Sequence, residues 1–113
     1  MNKKLIFIVF LAVIGTGCAS NNRLYDWGQY EQTLFVFYHD PAQKEQALKD
    51  YLAFVQEHAG DPRLAPGLYA EAGTFLLEQG DVEGAVGFYR MEYDRWPESQ
   101  PMLGALITNL EAQ

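Results

Sequence analysis

Helix periodicity is clearest in residues 66–99, which read PGLYAEAGTFLLEQGDVEGAVGFYRMEYDRWPES. Apolar residues recur every three or four positions on both sides of Gly80-Asp81, as they do along the buried face of a helix. Glycine readily ends a helix and aspartate caps the next one, so this pair predicts a tight turn between two antiparallel helices. Pro97 predicts the end of the second helix, because the residue before a proline disfavours the helical conformation.

Two further helices are predicted before this pair. The first covers residues 26–39, and a strand over residues 33–38 is the alternative because that stretch is β-branched and aromatic. The second covers residues 41–59, with Asp40 as its N-cap and Gln43 completing a capping box. The predicted buried face of the first helix comprises Trp27, Tyr30, Leu34, Phe37 and Tyr38.

The remaining helices follow from similar breaks in the pattern. We expect Pro66 to open the third helix and Asp81 to cap the fourth. Ser99 followed by Pro101 is predicted to start a fifth helix, whose apolar stripe ends at Leu110. The predicted fold class is therefore all-α, with about five amphipathic helices joined by short loops into antiparallel hairpins.

The spacing of small and aromatic residues in residues 66–99 resembles a tetratricopeptide repeat, a 34-residue helix pair with small residues where its helices cross. Tyr69 and Gly73 stand at the aromatic and small positions of the first helix. Ala85 and Tyr89 stand at the small and aromatic positions of the second. The resemblance implies stacked helix pairs with a capping helix, and a generic helical bundle is the alternative.

The N-terminus has the layout of an export signal. Lys3 and Lys4 precede an apolar run over residues 5–14, and three small residues then lead to Cys18. The run is too short to span a bilayer. The order of these features resembles the bacterial lipobox, in which the cysteine is acylated and the preceding peptide is removed. Gly15 departs from that pattern, because the lipobox usually carries a large aliphatic residue there.

These features divide the chain into a signal peptide over residues 1–17, a lipidated tether over residues 18–23 and a helical domain over residues 24–113. Cys18 is the predicted lipid attachment site. Ala19 follows it, and the sorting rule of such lipoproteins then implies the outer membrane, with the domain on its periplasmic face. An ordinary signal peptide or an uncleaved anchor is the alternative.

Charge argues against one class of partner, and the cysteine count excludes one kind of crosslink. The 113-residue chain carries 15 acidic and 8 basic residues, a formal net charge of −7. Removal of Lys3 and Lys4 with the signal changes the charge to −9. This balance argues against a nucleic-acid partner, which needs a basic face. The single cysteine excludes an internal disulfide.

A wider resemblance rests on three motifs in order: LYDWGQY at residues 24–30, PGLYA at residues 66–70 and EYDRWPES at residues 92–99. They resemble the pattern of a family of small bacterial lipoproteins of unknown function with tetratricopeptide-like helices. Members tend to be encoded beside a lipoprotein similar to the curli-secretion channel CsgG. The resemblance implies a cell-envelope role and a CsgG-like partner, without implying any chemistry.

Catalytic and metal-binding motifs are missing from the sequence. No zinc-protease helix, redox C-x-x-C, phosphate-binding loop or nucleophile elbow occurs. His39 and His58 are distant in sequence and too few for a zinc site. We therefore expect no enzyme activity, no metal, no cofactor beyond the covalent lipid and no small-molecule substrate.

Glu92 is the residue for which a catalytic role is the alternative. It stands where the tetratricopeptide repeat usually has a second alanine. A carboxylate pointing inward there would need a partner such as Arg90, Arg95 or a tyrosine hydroxyl. A structural pair is the favoured interpretation, and a general acid or base is the alternative.

The candidate partner-binding residues are Trp27, Tyr30, Tyr69, Glu92 and Trp96, although most aromatic residues of such a domain are expected in its core. The predicted function is a membrane-anchored lipoprotein that serves as a protein–protein interaction or assembly module in the cell envelope. The alternative is a small envelope-acting enzyme or enzyme subunit that uses Glu92 as acid or base.

Overall fold

The structure is a computed structural model that describes residues 2–3 and 23–113 of the chain. Within the second range it forms α1 (Tyr30–His39), α2 (Lys44–Glu57), α3 (Leu68–Glu78), α4 (Val82–Arg95) and α5 (Gln100–Glu111). A short 3-10 helix, Pro97–Ser99, joins α4 to α5. No strand forms among these residues, so the all-α prediction is confirmed and the strand alternative for residues 33–38 is wrong.

Most of the predicted N-terminal signal lies outside the described residues. Residues 1 and 4–17 of the signal are not described, and neither are Cys18 and residues 19–22 of the predicted tether. The lipid attachment therefore stays a prediction. Of the helices that the structure describes, none combines the length and hydrophobicity needed to cross a membrane.

Helices that follow one another along the chain pack on each other. Helix α1 contacts α2, α2 contacts α3 and α4 contacts α5, while the α3–α4 pair has the most extensive contact. Short loops between packed helices produce antiparallel neighbours. The predicted packing of successive helices is thus confirmed.

The α3–α4 hairpin closes around a glycine. A Cβ atom placed on Gly73 would lie 2.8 Å from the Tyr89 ring and 3.0 Å from the carbonyl oxygen of Ala85. A larger residue would therefore force the two helices apart, because protein interiors are close-packed. The small and aromatic positions of the tetratricopeptide resemblance meet at this crossing.

The turn between these helices has the predicted chemistry. Gly80 adopts a left-handed φ of +85°, and Asp81 Oδ1 accepts a hydrogen bond of 2.9 Å from the Gly84 N–H. Asp81 is therefore the N-cap of α4, as predicted. Helix α3 begins at Leu68, two residues later than the expected start at Pro66.

Helix α1 begins later than predicted, at Tyr30, because the residues before it form a turn and pair with the α2–α3 loop. The Asp26 carboxylate accepts a hydrogen bond of 2.9 Å from the Gly28 N–H and closes a turn. The Asp26 N–H donates to the Arg63 carbonyl, and its own carbonyl accepts from the Ala65 N–H at 3.0 Å. This backbone pairing attaches the segment before α1 to the α2–α3 loop.

Helix α2 also begins later than predicted, at Lys44. Asp40 caps the preceding turn, because its Oδ1 accepts from the Ala42 N–H at 3.1 Å. The Gln43 side chain donates to Asp40 Oδ2 at 2.8 Å. In a capping box Gln43 would instead accept from a backbone N–H, so that prediction is wrong.

Two groups of buried side chains fill the space between the helices. The larger group lies among α1–α4, where the Phe37 and Phe75 rings are 4.6 Å apart, and the smaller lies between α4 and α5, where Tyr89 and Leu103 are buried. Tyr38 was predicted on the buried face of α1 but is 66% exposed. Consecutive helical residues point about 100° apart, so the burial of Phe37 turns Tyr38 outward.

Candidate functional site

A buried carboxylate lies at the junction of α3 and α4. Glu92 is 1% exposed and is the one charged side chain buried among residues 23–113. Its Oε1 atom accepts a hydrogen bond of 2.7 Å from the backbone N–H of Gly67, immediately before α3. The N–H groups at a helix start lack partners within the helix and carry partial positive charge, which favours a carboxylate there. Glu92 of α4 therefore caps the start of α3.

The partner of Glu92 differs from those predicted. Arg90 pairs with Glu111, and Arg95 donates to the Pro62 carbonyl at 3.3 Å. Both arginines lie on the exposed side of α4, whereas Glu92 lies on its buried side. The prediction of an arginine or tyrosine partner is wrong, because the fold brings a backbone N–H group to the carboxylate instead.

Two buried tyrosines hold the same end of α3. The Tyr51 hydroxyl of α2 donates to the Leu68 carbonyl at 2.8 Å, and the Tyr69 hydroxyl accepts from the Gly60 N–H at 3.0 Å. Together with Glu92, these bonds tie the start of α3 to α2, to the preceding loop and to α4. Tyr69 is 4% exposed. We therefore assign Tyr69 and Glu92, both candidate partner-binding residues, to the interior.

Burial dominates the electrostatics of this junction. Loss of solvent raises the pKa of the Glu92 carboxyl, and hydrogen bonds from the start of α3 oppose this shift. Glu92 Oε2 has no hydrogen-bond partner among the described residues. Half-buried Glu71 on α3 also has a raised pKa, because of burial and then the nearby Glu78. Within the described part of the chain, no three His, Cys, Asp or Glu side chains are grouped as metal ligands.

Trp96 lies half-buried at the end of α4. The Trp96 and Tyr25 rings are nearly perpendicular with centroids 5.8 Å apart, and the Arg95 guanidinium lies 4.8 Å from the Trp96 ring centre. The buried indole N–H has no hydrogen-bond partner in the described part of the chain. Trp96 thus packs the segment before α1 against the end of α4.

Trp27 and Tyr30 lie together where α1 begins, with ring centroids 5.9 Å apart. Trp27 is 40% exposed, whereas Tyr30 is half-buried and lies 6.3 Å from the Tyr51 ring. Burial raises the Tyr30 pKa, and the negative charge of Glu71 raises it further. Trp27 is the most exposed of the five predicted candidates, and the five do not form one surface.

The outer face of α1 exposes two other aromatic side chains. Phe35 is 63% and Tyr38 is 66% exposed, and residues three apart are neighbours on a helix surface. The Phe35 ring stacks on His39 at a centroid distance of 4.6 Å. Neither aromatic residue was a predicted candidate. The burial of Thr33 and Phe37, four residues apart, defines the inner face of α1. In the sequence, the predicted burial of Phe37 is the signal that could have indicated exposed Phe35, two positions away on the opposite side of the helix.

Most of the chain matches a known family. Residues 24–106 match the family described as a domain of unknown function, DUF4810. The chain belongs to this family. The match begins before α1 and ends within α5, so it includes Glu92 and the exposed face of α1. The family of unknown function expected from the three motifs agrees with this match. The chain matches no curated protein and no solved structure.

The buried carboxylate makes the stability of the DUF4810 domain depend on pH. A glutamate in an unfolded chain has a pKa of about 4.3. Burial raises the pKa of Glu92 in the folded domain, so the folded state binds this proton more tightly. Protonated Glu92 therefore adds stability at low pH, which is lost as the pH rises through the folded-state pKa. Glu71 acts in the same direction. Urea unfolding at a series of pH values measures how the free energy of unfolding declines as the pH rises.

Replacing Glu92 by glutamine should make the fall of the unfolding free energy with rising pH shallower. The amide keeps an oxygen that can accept from the Gly67 N–H, but it does not titrate. At neutral pH we expect the free energy of unfolding to stay within about 1 kcal/mol of the parent. Replacing exposed Glu98 by glutamine is the control, and should change stability by less than about 0.5 kcal/mol. A loss above about 2 kcal/mol in Glu92→Gln at neutral pH would instead show that the ionised carboxylate is required.

Proposed function

We propose that this protein is a lipoprotein of the bacterial cell envelope and that its helical domain is a protein–protein interaction module. In this proposal a diacylglyceryl group on Cys18 holds the domain at the periplasmic face of the outer membrane. The partner is a CsgG-like lipoprotein. The observation that supports the interaction role is the pair of exposed aromatic side chains on α1, Phe35 and Tyr38.

Exposed aromatic residues on one helix face are suited to partner binding. Aromatic side chains supply a large contact area at a small entropy cost and dominate the energetics of protein interfaces. Phe35 and Tyr38 are fixed by the α1 backbone, so binding does not have to order a loop. Exposed Glu31 lies one turn before Phe35. The face therefore suits a partner that offers an apolar patch bordered by basic residues.

The burial of Glu92 favours an interaction module over the enzyme alternative. A general acid or base must come within hydrogen-bond distance of the substrate atom that exchanges its proton. Glu92 is 1% exposed, and its Oε1 already accepts the Gly67 N–H. We therefore propose a structural role for Glu92, in which it holds two helices together.

A photoreactive amino acid placed at position 38 should crosslink the protein to the CsgG-like lipoprotein in intact envelopes. The double substitution Phe35→Ser with Tyr38→Ser should weaken capture of that partner at least about tenfold, because loss of about 1.4 kcal/mol already has this effect. Both side chains are exposed, so the fold should be retained.

Met102 on α5 provides the matched control, since it is 67% exposed and lies on a different helix. Met102→Ser should leave partner capture unchanged, and a crosslinker at position 102 should not reach the partner. Undiminished capture by the α1 double variant would refute the proposed surface.

A further inference from the structure

The described helical domain begins with an exposed apolar edge. Leu24 is 78% exposed and Trp27 is 40% exposed, although both side chains are largely apolar. Neither belongs to the exposed face of α1 formed by Phe35 and Tyr38, because both precede that helix. This edge therefore needs a separate explanation.

The backbone that carries this edge is held in place. Asp26 lies between the two side chains, and its backbone pairs on both sides with the α2–α3 loop. The neighbouring Tyr25 ring packs against Trp96 of α4. Leu24 and Trp27 are thus attached to the folded domain and do not belong to a loose tail.

The position of the edge along the chain places it beside the proposed lipid anchor. Leu24 lies six positions after Cys18, and a fully extended chain over six positions spans about 20 Å. A diacylglyceryl group on Cys18 would hold the edge within that distance of the bilayer surface. Such tethering gives a weak contact a high effective concentration.

The two side chain types suit the boundary between lipid headgroups and acyl chains. Tryptophan is enriched at this boundary because its ring is amphipathic, and leucine adds apolar area. The net charge of −9 on the mature chain offers no general attraction to anionic headgroups. Apolar insertion is therefore the contact that this acidic domain can make with a membrane.

We propose that Leu24 and Trp27 insert into the headgroup region of the membrane and fix the orientation of the helical domain on it. This inference rests on the proposed anchor at Cys18. It assigns Trp27 to lipid contact and leaves the outer face of α1 free to meet a protein partner in the periplasm.

The chain has two tryptophans, Trp27 and Trp96, so single substitutions isolate each emission. The lipidated mature protein, residues 18–113, is incorporated into vesicles of phosphatidylcholine whose acyl chains carry bromine, which quenches nearby indoles. In Trp96→Phe, insertion of Trp27 should shift its emission to shorter wavelength than that of an indole in water. Its intensity in the brominated vesicles should be much lower than in vesicles without bromine. In Trp27→Phe, the emission of half-buried Trp96 should change little. Unquenched Trp27 emission in the vesicles would overturn the inference.

Flotation of the same vesicles separates the two proposals. Protein that floats while its Trp27 emission stays unquenched refutes insertion but leaves the anchor intact. Protein from cells that carries no lipid and does not float refutes the anchor itself. Trp27 emission that shifts only after the CsgG-like lipoprotein is added would assign this edge to the protein partner and overturn the lipid contact.

Discussion

Replacing Cys18 by alanine should abolish labelling of the protein with palmitate and release it from cell membranes. Cys18 is the single cysteine, so no other thiol in the chain can accept the lipid. Acyl chains contribute about 0.8 kcal/mol for each buried CH₂ group, and two or more chains make membrane attachment stable. Leu24 and Trp27 alone bury far less apolar area, so their contact should not retain the protein.

Labelling with palmitate, membrane fractionation and an alkaline carbonate wash measure this effect. Gly15→Leu is the control, because it introduces the large aliphatic residue that the lipobox usually carries at this position. It should retain both labelling and membrane attachment. If Cys18→Ala remains in the washed membranes in parental amounts, the lipoprotein proposal is wrong.

Replacing Gly73 by leucine should destabilise the domain by about 3 kcal/mol, at the upper end of the usual cost of overpacking. A Cβ atom at this position would already lie 2.8 Å from the Tyr89 ring and 3.0 Å from the Ala85 carbonyl oxygen. The carbonyl belongs to the backbone of α4 and cannot rotate away. The two helices would have to separate along the largest interhelical contact of the domain.

Gly87 on α4 allows the same substitution without a clash, since a Cβ atom there meets nothing within 4 Å. Gly87→Leu should be neutral or stabilise the domain by about 0.5 kcal/mol, because leucine favours the helix more than glycine. Urea unfolding of both variants gives the two free energies of unfolding. Equal stability of the two variants would show that the hairpin does not depend on close approach at Gly73.

The helices could be predicted because their signals are local. The α3–α4 turn depends on Gly80 and Asp81, and the end of α4 depends on Pro97 one residue after its C-cap. The start of α1 could not be located in this way. The backbone N–H and carbonyl of Asp26 pair with Arg63 and Ala65, which are distant in sequence. Because of this pairing, α1 begins later along the chain than predicted.

The candidate site could be predicted only in part. Glu92 was notable in the sequence because it replaces a small residue at a helix crossing, and the structure places it in the interior. Its partner could not be inferred, because the Gly67 N–H belongs to the backbone and carries no distinctive residue type. Sequence patterns can indicate a buried charge, but they do not show which backbone donor the fold brings to it.

Sequence alone was sufficient for the number, type and order of the helices, since periodicity and capping residues act over a few positions. Tertiary structure decided which aromatic residues are covered. Tyr69 and Tyr38 are both tyrosines on predicted helix faces, yet the first is 4% and the second 66% exposed. Tyr69 lies beneath neighbouring helices and the α2–α3 loop, whereas no part of the described chain covers the outer face of α1. Burial depends on such long-range neighbours, which a local pattern does not contain.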